Sequence, residues 1–190
     1  MIGGKAAIAL KAAQRLGLEQ QRVTLNGGMA VLLSGAILAL CTWWLPMFVA
    51  FPVGRADGLM FAARANVIPL LVLMVAVRRV ARIRFISPED NRGSAYDAPS
   101  SQLAVPAAFL QNTLEQTVLF VLASSALATL GTPEAMAFIS AGAFLFLVGR
   151  ITFLLGYPKG AGGRAFGMVM TTMPALGATV WVICAMVLGL

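Results

Sequence analysis

Apolar residues in this chain come in five long runs, near Gly28–Phe51, Met60–Val80, Leu103–Leu130, Pro133–Tyr157 and Arg164–Leu190. Each is long enough to cross a bilayer core of about 30 Å as a helix, which takes roughly 20 residues. Ahead of them, residues 1–23 set Ile8, Ala12 and Leu16 against Lys5, Lys11, Arg15 and Glu19, the pattern of an amphipathic helix lying in the membrane interface. This segment is long for the charged part of a signal peptide, so the first run is expected to remain as an uncleaved anchor. Gly58 marks a turn before the second run, and residues 87–101 (SPEDNRGSAYDAPSS) form the one substantial polar loop. The expected fold class is an all-α integral membrane protein of five spans, packed through small residues such as Gly35, Gly142, Gly149 and Gly177.

Composition closes off the soluble alternatives. Hydrophobic residues make up 59% of the chain and charged ones 11%, and the mean hydropathy is +0.87. A net charge of +7 would ordinarily raise the question of nucleic acid. Here the charges follow membrane topology. Lys5, Lys11, Arg15 and Arg22 precede the first run; Arg78, Arg79, Arg82, Arg84 and Arg92 follow the second; Lys159 and Arg164 separate the fourth and fifth. The opposite connections hold only Arg55 and Arg64. Such an imbalance predicts a cytoplasmic N-terminus and a C-terminus on the far side, with a bacterial inner membrane as the expected location. The basic residues therefore read as partners of lipid headgroups, with no role for nucleic acid. Cys41 and Cys184 fall inside apolar runs and read as small fillers. The absence of histidine removes His-based metal sites and Ser-His triads, and no metal is expected.

Candidate chemistry gathers in a few polar residues placed where they are costly. An arginine at the centre of a spanning helix costs roughly 2.5–3.5 kcal/mol on insertion scales, so it normally faces a bundle interior and a partner. Arg150, Tyr157 and Arg164 follow one another at intervals of seven within Gly149–Gly167, across a Pro/Gly-rich turn. In the third run Asn112 and Glu115 stand three apart, on one helix face. Glu115 is the carboxylate placed well inside a run, and Arg150 is its natural partner. Two readings stay open: a structural ion pair that fixes helix register, or part of a polar cleft at the cytoplasmic side, where Arg79, Asp90, Tyr157 and Arg164 also fall.

These residues, taken in order, resemble the MAPEG family, membrane-associated proteins in eicosanoid and glutathione metabolism. The likeness rests on Asn112-x-x-Glu115, on Arg150 with Gly156-Tyr157, on Arg164, and on Arg78–Asp90 (RRVARIRFISPED), similar to the family's first cytoplasmic loop. It covers roughly Met60 to Leu190. It implies a division into an interfacial helix (1–23), an additional transmembrane helix (24–58) and a MAPEG-like four-helix domain (59–190). It also implies a homotrimer in the lipid bilayer that binds glutathione between subunits. Arg164 would stabilise the thiolate, with Asp90 orienting it, and Arg79, Asn112, Glu115, Arg150 and Tyr157 would hold the tripeptide's carboxylates and amine. The implied function is a glutathione-dependent transferase or peroxidase acting on hydrophobic electrophiles.

The chain departs from the family pattern at Ala108, Gln111, Phe153, Ala165 and Met168, where members carry arginine, histidine, serine or tyrosine. Prostaglandin-type isomerase chemistry is disfavoured on that count. Two other classes stand beside the enzyme: a non-catalytic member of the family that binds a lipid or a partner protein, and a small transporter or channel subunit. The third fits least well, because the polar groups cluster toward one face and do not continue through the membrane. Read blandly, Tyr157 and Trp43, Trp44 and Trp181 are interface anchors, and Met168, Met170 and Met173 are packing.

Overall fold

The computed structural model describes residues 2–189, with side chains from residue 13 onward. Met1, Leu190 and the side chains of Lys5, Ile8, Lys11 and Ala12 lie outside the described residues. The described residues form six helices: α1 (Ile2–Phe48), α2 (Arg55–Ala65), α3 (Val67–Ile86), α4 (Ser101–Ala128), α5 (Pro133–Gly156) and α6 (Gly160–Leu188). A single 3₁₀ turn, Tyr157–Lys159, joins the last two.

Helix α1 differs from the sequence expectation. The surface helix expected over residues 1–23 and the span expected after it form one continuous element, with no turn between them. Thr24 and Asn26 could have capped a new helix, but both are engaged elsewhere: the Thr24 hydroxyl donates back to the Gln20 carbonyl at 3.0 Å, and Asn26 reaches across to α6.

The second apolar run becomes two helices in near continuity. Pro69 lacks the N–H that would bond one turn back, and the chain steps aside at Asn66, whose own N–H still bonds the Ala62 carbonyl at 2.9 Å. Asn66 Oδ1 accepts from the Ser124 hydroxyl of α4 at 3.0 Å. The following polar loop is closed by Asp90, which accepts from the Ser87 hydroxyl (2.9 Å) and from the backbone N–H (2.9 Å) and hydroxyl (2.7 Å) of Ser100. Ser100 in turn caps α4 by accepting from Leu103 N.

Glycines bring α5 and α6 together backbone to backbone. A methyl group at Gly149 would overlap the Thr171 hydroxyl, and one at Gly167 would overlap the Phe153 backbone. Gly142 and Gly177 likewise face Phe120 and Phe138, as small-residue packing requires. Gly35, expected to do the same, has open space beside it. Between the two helices Gly160 takes φ +78°, a left-handed conformation that glycine enters freely.

The main core lies between α1, α4, α5 and α6 and is built from Ala30, Leu38, Leu127, Met136, Ile139, Leu145 and Met170. Trp181, expected as an interface anchor, packs edge-on against Phe138 at 5.8 Å. The stretches Ala13–Phe48, Arg55–Ile86 and Pro133–Leu188, the last being the α5–α6 hairpin, are long and apolar enough to cross a membrane. Helix α4 is not among them; its apolar run is interrupted by Gln111, Asn112, Glu115 and Gln116.

Candidate functional site

Among the described residues Arg150 is the largest fully buried side chain, at 1% exposure, on the inner face of α5. Three helices converge on it. Its Nη1 donates to Asn112 Oδ1 of α4 at 2.6 Å, and its Nε donates to the Thr171 hydroxyl of α6 at 3.0 Å. Nη2 points at the Met168 sulfur, 3.9 Å away. The Thr171 hydroxyl donates to the Gly167 carbonyl at 2.8 Å, which leaves its lone pairs free for the guanidinium. The guanidinium carbon lies 4.7 Å from the Phe153 ring centroid, a cation–π arrangement.

Among the described residues no carboxylate takes part. The Glu115–Arg150 pair expected from the sequence does not form: Glu115 is exposed and accepts from Gln111 Nε2 at 3.0 Å. Among the described residues the ion pairs are Arg22–Glu19 and Arg92–Asp97. The physical reason is rotation of α4. Positions three apart on a helix differ by about 60° around the axis, and packing turns Asn112 toward α5 and Glu115 away. Gln116, one residue on, is buried, and its Oε1 accepts from the Thr172 hydroxyl at 3.0 Å.

A row of stacked groups runs from Arg150 to Arg164. Phe153 lies against Arg150 on one side and meets the Tyr157 ring edge-on at 5.7 Å on the other. The Arg164 guanidinium then lies 4.9 Å from the Tyr157 centroid. The spacing of seven and seven thus folds back through the 3₁₀ turn so that α5 and α6 present their cations along one line of aromatic rings.

Beside this row a cleft of about 420 Å³ opens at the charged end of the bundle. Asn112, Phe153, Tyr157, Arg164 and Met168 line it, together with Ala108, Ala165 and Val23 of α1. Arg150 sits behind its wall, reached through Asn112 and Met168, and itself lines an apolar cavity of about 310 Å³ on the α3 side.

Of the other sequence candidates, Arg79 is exposed on α3 and does not line the cleft. The Asp90 carboxylate makes no bond to Arg164; it accepts from Ser87 and Ser100. Those bonds, first that from the Ser100 backbone and then that from its hydroxyl, with Ser87 and the nearby Arg84 adding to them, hold its carboxyl below the usual carboxylate range despite burial. Thr171 and Val23 were not singled out in the sequence. A hydroxyl seven residues beyond Arg164 was the available signal for the first, whereas nothing in the sequence marked the second. Met168, read as packing, also receives the guanidinium.

The MAPEG family model matches residues 59–184 of the chain. No curated protein and no solved structure matched.

Proposed function

Because the chain belongs to the MAPEG family, we propose that it is a membrane-bound glutathione-dependent transferase or peroxidase acting on hydrophobic electrophiles. Family membership and helices apolar enough to span a bilayer make it an integral membrane protein of a group concerned with glutathione or eicosanoid metabolism. The observation that carries the finer reading is a cleft with a cation and no acid in its lining: Arg164 stands on the wall, unpaired with any carboxylate among the described residues, and Arg150 lies behind it, bonded to the lining residue Asn112. A partly buried cation such as Arg164 without a counter-ion is costly, and an anionic ligand in the cleft would relieve it.

A tripeptide thiol with two carboxylates has the charges to do so. The cleft volume of about 420 Å³ falls within the range of small-molecule sites, roughly 300–1,000 Å³. Arg164 would favour the thiolate over the thiol by direct charge interaction. In a transfer, the sulfur forms a bond to an electrophilic carbon and the displaced group leaves with the bonding pair. In a peroxidase turnover, the sulfur takes the distal oxygen of a hydroperoxide, the alcohol departs, and a second glutathione yields disulfide and water. Asn112 and Tyr157 would hold the peptide, and the apolar wall of Val23, Ala108, Ala165 and Met168 would admit a lipophilic partner.

The same proposal takes α4 as a fifth span, buried between partners, in a homotrimer of the bacterial inner membrane with a cytoplasmic N-terminus. Residues 24–58 would supply a span added to the 59–190 domain, and residues 1–23, continuous with it in α1, would carry that helix on to the cytoplasmic surface. Arg79 and Glu115, exposed on α3 and α4, would then serve the cleft of a neighbouring copy. The test is product formation with a model aryl halide or a lipid hydroperoxide by the purified protein. Arg164→Ala should abolish it and Arg164→Lys should leave a small remainder, since an ammonium keeps the charge but loses the fork. Wild-type protein inert toward both substrate classes would leave the family's non-catalytic role, binding a lipid or partner protein.

A further inference from the structure

Three residues of α1 converge on one glycine of α6. Gly162 lies in the first turn of α6, two residues before Arg164. Its N–H donates to Glu19 Oε2 at 3.1 Å, and its carbonyl accepts from Asn26 Nδ2 at 2.8 Å. Gly162 is buried, and a Cβ there would come within 2.6 Å of Arg22 Cβ, so the approach of the two helices depends on glycine.

The charges explain why the first turn of α6 needs outside help. It holds no acidic residue, and Lys159 and Arg164 flank it. Both cations sit at the positive end of the helix dipole, where the first N–H groups also lack intrahelical partners. Glu19 supplies the missing acceptor and the missing negative charge from another helix. Glu19, Val23 and Asn26 share one face of α1, at spacings of four and three. With its two neighbours bonded to Gly162, Val23 is set into the lining of the cleft.

We propose that Glu19 and Asn26 are positioning residues for Arg164. They latch α1 onto the turn from which the Arg164 side chain projects, and they hold Val23 as one wall of the cleft. The functional half of this inference rests on the glutathione reading above; the latch itself does not. Because α1 precedes the region matched by the family model, the device belongs to the part of the chain outside that region.

The test uses the full-length protein with Cys41→Ala and Cys184→Ala, spin-labelled through Leu18→Cys on α1 and Leu155→Cys on α5, both exposed positions. The latched protein should give one narrow interlabel distance distribution. Glu19→Ala with Asn26→Ala should broaden it and raise the glutathione concentration for half-maximal thiolate signal about tenfold, the effect of losing a hydrogen bond or two. Glu19→Gln, which keeps an acceptor oxygen, should stay narrow. Gly162→Ala, which pushes Arg22 away and leaves Glu19 and Asn26 in place, should broaden the distribution independently. A distribution unchanged in both the double variant and Gly162→Ala would overturn the latch. Broadening with an unchanged half-saturation would overturn the positioning role. A wild-type protein without any thiolate signal would remove the glutathione reading and the positioning role with it, while the distances would still report on the latch.

Discussion

Arg150 could be recognised from the sequence because an arginine inside an apolar run is expensive in any fold that contains it. Its partner could not. Asn112 and Glu115 lie close enough around α4 that only tertiary packing decides which one turns inward, and the structure chooses the amide. The choice has a thermodynamic signature. Arg150→Met combined with Asn112→Ala should show a coupling energy of about 0.5–3 kcal/mol, as for residues in one hydrogen-bond network. Combined instead with Glu115→Ala, it should be additive within about 0.5 kcal/mol. Unfolding of the detergent-solubilised variants reads both cycles. A second prediction concerns Asp90, whose carboxyl is held below its ordinary range by Ser100 and Ser87. A depressed folded-state value contributes stability that is present above the unfolded value and lost as pH falls through the folded one. Proteolysis within the 87–100 loop should therefore stay slow down to the ordinary carboxylate range and accelerate below it, and Asp90→Asn should flatten that dependence.

At the scale of elements, hydropathy located the helices but not their joints. Long apolar runs read as spans because each backbone polar group must be satisfied within its own helix in lipid. The step at Asn66 depends on a single missing N–H at Pro69, which the run of apolar residues concealed. The unbroken α1 was hidden for the opposite reason: composition changes near residue 24, but the side chains that might have capped a new helix are bonded elsewhere. Small-residue packing was legible at Gly149, whereas Gly35 looked the same in sequence and lies beside open space. The difference is measurable. Gly149→Val and Gly167→Val should separate α5 from α6 at a cost of about 1–3 kcal/mol or more, as overpacking does, with loss of the Thr171–Arg150 hydrogen bond. Gly35→Ala should leave the thermal transition almost unchanged.

At the scale of the whole molecule, Arg15 and Arg22 of α1 and the basic residues of the C-terminal half of α3 and of the α5–α6 turn fall at one end of the bundle, where the cleft opens. The charge pattern in the sequence anticipated that gathering because topology and side-chain charge are set together. It did not anticipate that α1 would wall the cleft, since no local periodicity records a contact between Glu19 and Gly162. The exposed apolar faces of α3 and α4, with Leu71, Met74, Leu114 and Leu122, would meet lipid or a second copy in the proposed trimer. All of these features bear on function through one property, a cation on the cleft wall, Arg164, that no carboxylate among the described residues pairs with. The most direct test is a glutathione titration of the purified protein that follows the ultraviolet absorbance of the thiolate, with Arg164→Ala alongside. A saturable signal that disappears in the variant is the predicted result; no signal in the wild type at cellular glutathione concentrations would contradict it.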